Sequence, residues 1–286
     1  MKMIKPIVNF SKIAADYDTY VFGFNGVLSN GKDILPEAAS CLKNLAAMGK
    51  KIVVISNMGL RVVEIVEMFM NAGVPLDIFS NIISAGEILH YRLKGAQNEF
   101  AAIGNTYYRI GAKQSSGIFS GLNFVETTHI EQAHFLYMDA VASSEDMVDK
   151  YRPILDTAVS FGLPFVCAGN DTSCFIDGKL SLAPGAIAEA YAVLGGRIIT
   201  LGKPDVKMMQ YALEGIGETG KIAVVGDNVA TDIKMAGLYG CASILISKGR
   251  HVNYLGEGYI PDVAKTRELS NSYDVSPDGV ISAMRW

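Results

Sequence analysis

Four stretches of this 286-residue chain place polar or charged side chains straight after runs of β-forming residues. Gly23-Phe24-Asn25-Gly26 follows Tyr20-Val21-Phe22, and Ser56-Asn57 follows Lys51-Ile52-Val53-Val54-Ile55. Gly202-Lys203-Pro204-Asp205 follows an extended segment at 197–201. Gly226-Asp227-Asn228 follows Ile222-Ala223-Val224-Val225, with Asp232 five residues beyond Asp227. In an open parallel sheet, ligands bind beyond the carboxyl ends of the strands. A hydroxyl, an ammonium and two carboxylates gathered there could hold a small charged ligand. Singly, each stretch has a plainer reading: Ser-Asn after a strand is usually a turn and helix cap, and Gly-Lys-Pro usually a turn. Their common position after strands is what singles them out.

The elements that must position these residues read as alternating strand and helix. Apolar runs at 20–24, 51–55 and 81–83 are separated by helical stretches at 36–48 and 60–72, and a third helix ends near Gly95. Pro36 suits a first helical turn, and Gly49 and Gly73 suit C-terminal caps. The last third repeats the style, with helices at 186–194, 204–214 and 231–236 and strands at 197–201, 222–225 and 243–246. Continuous apolar strands between amphipathic helices predict a parallel sheet covered on both faces. The middle has shorter strand signals at 100–103, 135–138 and 165–168 and a long helical stretch at 144–161. It reads as a separate α/β unit inserted into the first, giving 1–96 and 197–286 as the two parts of one domain and 97–196 as the insert.

The ordered set resembles the four motifs of the haloacid dehalogenase-like (HAD) phosphatases. An insert between the second and third motifs is the class IIA, p-nitrophenyl-phosphatase-like arrangement. Phe165-Val166-Cys167-Ala168-Gly169-Asn170-Asp171 and Pro184-Gly185-Ala186-Ile187-Ala188-Glu189-Ala190-Tyr191 are similar to stretches of that branch, the first without its proline. The resemblance covers about residues 15–250 and implies a Rossmann-like HAD core with an α/β cap. Carried over residue by residue, it implies that Ser56, the Asn57 amide at a helix start and Lys203 hold phosphate. Asp227 becomes a metal carboxylate, and Asp232 orients Lys203 or a metal-bound water, with Asn228 beside it.

The first motif departs from the family. Gly23 stands where the nucleophilic aspartate belongs and Asn25 where the general acid/base belongs. A hydrogen cannot attack phosphorus, and an amide cannot shuttle a proton near neutral pH. Asp18 cannot stand in, since five residues of strand at ~3.3 Å each put it about 16 Å away. Magnesium usually takes one or two carboxylates plus phosphate oxygens, so Asp227 alone should hold it weakly. The expected function is an impaired or inactive phosphatase homologue that retains phosphate or phospho-ligand binding. Two alternatives stand beside it: a working hydrolase of small phosphate esters with water attacking directly, and a non-catalytic scaffold or interaction protein.

Other features exclude more than they assign. The net charge of −4, with no Lys/Arg block, argues against nucleic acid as a partner. Cys41, Cys167, Cys174 and Cys241 form no CxxC pair and read as buried thiols in a reducing compartment. Gly215-Ile216-Gly217-Glu218-Thr219-Gly220-Lys221 mimics a nucleotide-binding loop, but its glycines precede a strand instead of following one. No apolar run is long enough to span a bilayer, and Met1-Lys2-Met3-Ile4-Lys5-Pro6 lacks the apolar stretch of a secretory leader. A cytoplasmic protein without a membrane partner is expected, with self-association left open.

Overall fold

Apolar runs between helices become parallel strands in the computed structural model, which describes residues 3–96, 98–115 and 117–286. The first part supplies β1 (Lys5–Ile7), β2 (Thr19–Gly23), β3 (Lys51–Ser56) and β4 (Phe79–Ser84). The middle supplies β5 (Thr106–Arg109), β6 (Val125–Thr127), β7 (Phe135–Met138), β8 (Phe165–Ala168), β9 (Ser173–Ile176), β10 (Lys179–Leu182) and β11 (Ile198–Leu201). The end supplies β12 (Ile222–Gly226), β13 (Ala242–Ile246) and β14 (Gly279–Ile281). Between them run α1 (Pro36–Ala47), α2 (Val62–Asn71), α3 (Ala85–Lys94), α4 (Arg152–Ser160), α5 (Pro184–Val193), α6 (Lys207–Leu213), α7 (Lys234–Tyr239), α8 (Val252–Leu255) and α9 (Val263–Ser272).

Seven parallel strands form the larger sheet, in the order β1-β14-β13-β12-β2-β3-β4. The chain leaves β2 toward β3 and β4, then returns on the other side through β12. That reversal opens a crevice at the carboxyl ends of β2, β3 and β12. Alternation along the strands sorts their side chains between two layers. Tyr20, Phe22, Ile52 and Val54 pack with Leu42 and Leu45 of α1 and Phe69 of α2. Val21, Val53 and Val224 face the opposite layer, with Leu89 of α3 and Met209 of α6.

A second, five-stranded parallel sheet has the order β11-β8-β7-β5-β6. β7 shows how it is seated: Phe135 and Tyr137 join the layer that contains Val21 and Leu89, while Leu136 and Met138 pack under Leu155 of α4 and Ile187 of α5. The two sheets therefore share one apolar layer. β9 and β10 form a separate antiparallel hairpin turned by Asp177 and Gly178, at φ 48° and 78°. Two positive φ values in a two-residue turn give the type I′ geometry that matches strand twist.

Several expected boundaries move, for physical reasons. Ile198–Leu201 pairs with β8, so this strand belongs to the second sheet and not, as the 196/197 boundary implied, to the first. A four-residue run of β-formers, Ile198-Ile199-Thr200-Leu201, reads alike in either sheet. The strand expected at 100–103 is absent; Asn98–Phe100 is a short 3-10 turn, and Phe100 reaches the core from its end and Ile103 from the loop beyond. The helix expected over 144–161 starts as an α-helix only at Arg152, because Pro153 has no N–H to donate and is confined to the first turn. The C-terminal tail, beyond the expected common core, inserts β14 between β1 and β13. Among the described residues, no helix is long and apolar enough to cross a membrane.

Candidate phosphate site

Lys203 enters the crevice from the loop after β11, and Asp232 from the π-helical turn Val229–Ile233 that follows β12. The Lys203 Nζ donates to Asp232 Oδ1 at 2.6 Å and to the Ile55 carbonyl at 3.4 Å, while the Asn228 N–H supports Asp232 Oδ2 at 3.1 Å. Both side chains are buried. Burial pulls the ammonium toward neutrality, but Asp232, Asp171 and Asp227 outweigh it and hold its pKa above the ordinary value. Lys203 therefore stays charged, and one of its three N–H donors remains for a ligand.

Asn57 ties the end of β3 to the same loop. Its Oδ1 accepts the Lys203 N–H at 2.7 Å and its Nδ2 donates to the Lys203 carbonyl at 3.2 Å. Ser56 lies one step deeper, its Oγ accepting the Met58 N–H at 3.1 Å. α2 begins only at Val62, so the helix start expected at Asn57 lies five residues further on. Asn57 thus anchors Lys203, and no helix terminus points from Asn57 at an anion.

Gly23 ends β2, paired in register with Ile55. A Cβ built there would lie 3.2 Å from Asp232 Oδ1 and 3.3 Å from Val27 Cγ2, and its φ lies outside the left-handed region. Asp227, across the crevice, accepts the Arg250 N–H on Oδ2 at 2.8 Å. Burial first, and then the neighbouring Asp232, push its carboxyl up to about 7. A cavity of about 230 Å³ lies above these groups, walled by Met58, Val141, Phe175, Ile176 and Leu182 and floored by Asn57, Lys203 and Asp227.

Two sequence-family models match the chain: a haloacid dehalogenase-like hydrolase model over residues 20–124 and a HAD-hydrolase-like model over 200–266. The first runs on into the insert, and together they contain all four strand-end stretches. The chain belongs to the HAD-like hydrolases. Its α/β insert between the second and third motifs is that of class IIA. This HAD chain is 26% identical over 276 residues to chronophin of Mus musculus, covering 89% of its own length and 88% of chronophin's. It is 25% identical over 262 residues to phosphoglycolate phosphatase 2 of Arabidopsis thaliana, covering 84% and 86%. A HAD-like hydrolase structure from Brucella suis 1330 superimposes with a TM-score of 0.78 at 25% identity, covering 96% and 98%.

The side chains of this HAD-like crevice do not fit a resident divalent ion. Position 23 offers no oxygen, Asp232 is held by Lys203, and Asp227 already accepts an N–H. Among the described residues, no group of three or more His, Cys, Asp or Glu is placed to hold a metal. Magnesium usually takes one or two carboxylates besides phosphate oxygens, and here only Asp227 stands clear of the lysine.

Three participants escaped the sequence reading. Asp171 Oδ1 accepts from Asn228 Nδ2 at 2.7 Å, Thr231 Oγ1 at 3.2 Å and Arg250 Nη1 at 3.2 Å. Arg250 lies beyond the end of β13, so the rule that flagged the other strand ends would have flagged it too. Phe175, from the hairpin, had no signal of its own.

The raised Asp227 carboxyl has a consequence for stability. The folded protein keeps that proton at pH values where the unfolded chain, with a carboxyl near ~3.9, has released it. Its contribution is therefore fully present below pH ~4 and lost as pH climbs through about 7. Asp227→Asn retains an acceptor for Arg250 and removes the titration. Its unfolding free energy from urea titrations should gain on that of the unsubstituted protein between pH 4.5 and 8, by an amount on the order of a few kcal/mol. A difference that is flat across this range would refute the assignment.

Proposed function

We propose that this HAD-like chain binds a small phosphorylated molecule, or phosphate itself, at Lys203 and does not cleave it through an aspartyl-phosphate. The observation that carries the proposal is the contrast across the crevice floor. The Lys203–Asp232 pair is intact at 2.6 Å, while Gly23 presents only hydrogen toward the same Asp232. The charge that neutralises phosphoryl oxygens is kept, and the atom that would attack phosphorus is missing. The kinship to phosphatases supports phosphate esters as the ligand class.

Calorimetry with inorganic phosphate and turnover of p-nitrophenyl phosphate, each with and without magnesium, test this. Measurable phosphate affinity and no turnover above background are expected. Lys203→Arg should keep charge at the site, whereas Lys203→Ala should weaken phosphate binding tenfold or more, about 1.4 kcal/mol. Turnover that disappears in Asp227→Ala would establish a working hydrolase instead. An unsubstituted protein without phosphate affinity would point to a scaffold.

A further inference from the structure

The β9–β10 hairpin lies directly over the first motif, and its register decides which of its backbone groups are free. The turn at Asp177-Gly178 is closed by Ile176 opposite Lys179, and the next pair is Phe175 opposite Leu180. In an antiparallel ladder, hydrogen-bonded and non-hydrogen-bonded pairs alternate. With the closing pair bonded, both backbone groups of Phe175 point away from β10, as on an open sheet edge. They meet the Asn25 carboxamide: Nδ2 donates to the Phe175 carbonyl at 2.9 Å, and Oδ1 accepts the Phe175 N–H at 2.7 Å. Asn25 thus pairs with this edge as a neighbouring strand would.

Two more contacts shape the motif turn to the hairpin. The Gly178 N–H donates to the Asn30 carbonyl at 2.9 Å. At Gly31, φ is +97°, and a Cβ would fall 2.0 Å from the Phe175 carbonyl oxygen. On the far side, Arg250 Nη1 donates to the Ser173 carbonyl at 3.1 Å, and Nη2 bonds Thr172 Oγ1. Cys174, Phe175, Ile176 and Leu182 of this hairpin form one wall of the cavity.

We infer that Asn25 is a positioning residue: it latches the hairpin over the crevice and thereby sets the wall of the ligand cavity. The chemistry of the side chain explains why an amide is needed. A carboxylate accepts hydrogen bonds and donates none, so aspartate could serve the Phe175 N–H but would set a negative charge against its carbonyl. The position that lost proton transfer has gained a pairing that only an amide makes in both directions. The latch holds whatever ligand the cavity takes.

Amide hydrogen exchange on the full chain tests it. In the unsubstituted protein the Phe175 and Gly178 amides should be protected well beyond exposed turn amides. Asn25→Asp and Asn25→Ala should each speed exchange at Phe175 and Gly178 tenfold or more, with β3 and β12 unchanged. Gly31→Ala leaves position 25 intact and should speed the same two amides by crowding the Phe175 carbonyl. Unprotected Phe175 in the unsubstituted protein would overturn the latch without any variant. So would variants that speed hairpin and core amides by one common factor, since that is global loosening.

Discussion

Lys203→Ala is expected to destabilise the protein by about 3–5 kcal/mol, the usual consequence of leaving one partner of a buried ion pair alone. Lys203 and Asp232 are 4% and 2% exposed, and without the ammonium Asp232 would keep only the Asn228 N–H at 3.1 Å. The same truncation removes packing between the end of β3 and the loop after β11. Adding Asp232→Asn to Lys203→Ala should recover part of the loss, because the uncompensated charge goes with it. Urea unfolding of both single variants and the double variant measures the coupling. Two single losses that simply add would mean that the pair is screened and contributes little.

The second large effect is a gain of activity. Gly23→Asp with Asn25→Asp is expected to confer magnesium-dependent hydrolysis of p-nitrophenyl phosphate, and the unsubstituted protein is expected to show none above background. The backbone permits it, since Gly23 is not in the left-handed region and a Cβ there meets Asp232 Oδ1 and Val27 Cγ2 at 3.2 and 3.3 Å. These contacts are tight, so Val27 and Asp232 must yield by a few tenths of an ångström. A third carboxylate beside Asp227 and Asp232 repels both, which a cation would offset. Gly23→Asp alone should recover more than Asn25→Asp alone, as it returns an attacking oxygen and a ligand oxygen together. Asn25→Asp also breaks the pairing with Phe175, so the double variant should hydrolyse with a loosened hairpin. A folded but silent double variant would show that the crevice has diverged beyond its first motif.

The chemical content of the crevice was legible because it sits where local rules apply. A run of β-formers followed by Gly-Asp or Ser-Asn marks a strand end, and parallel strands point their carboxyl ends one way. Those rules placed Gly23, Lys203, Asp227 and Asp232 at one edge. Short strands were not legible: β1 and β14, three residues each, are too brief to show a period, yet they complete the larger sheet. Phe175 was not legible either, because its partner Asn25 lies 150 residues away in the chain.

Residue types by themselves thus determined that a glycine and an asparagine stand at positions 23 and 25, that a lysine and two carboxylates accompany them, and that the strands are parallel. Only the tertiary structure decided what those groups do. Asp227 holds its proton toward neutrality because burial and Asp232 surround it, and desolvation is a property of the packed chain. The Asn57 carboxamide became an anchor for the next loop because Lys203 came to it from the other sheet. Asn25 became a latch because the turn at Asp177-Gly178 aimed both backbone groups of Phe175 outward, and hydrogen-bond direction is fixed only once the strands are in register.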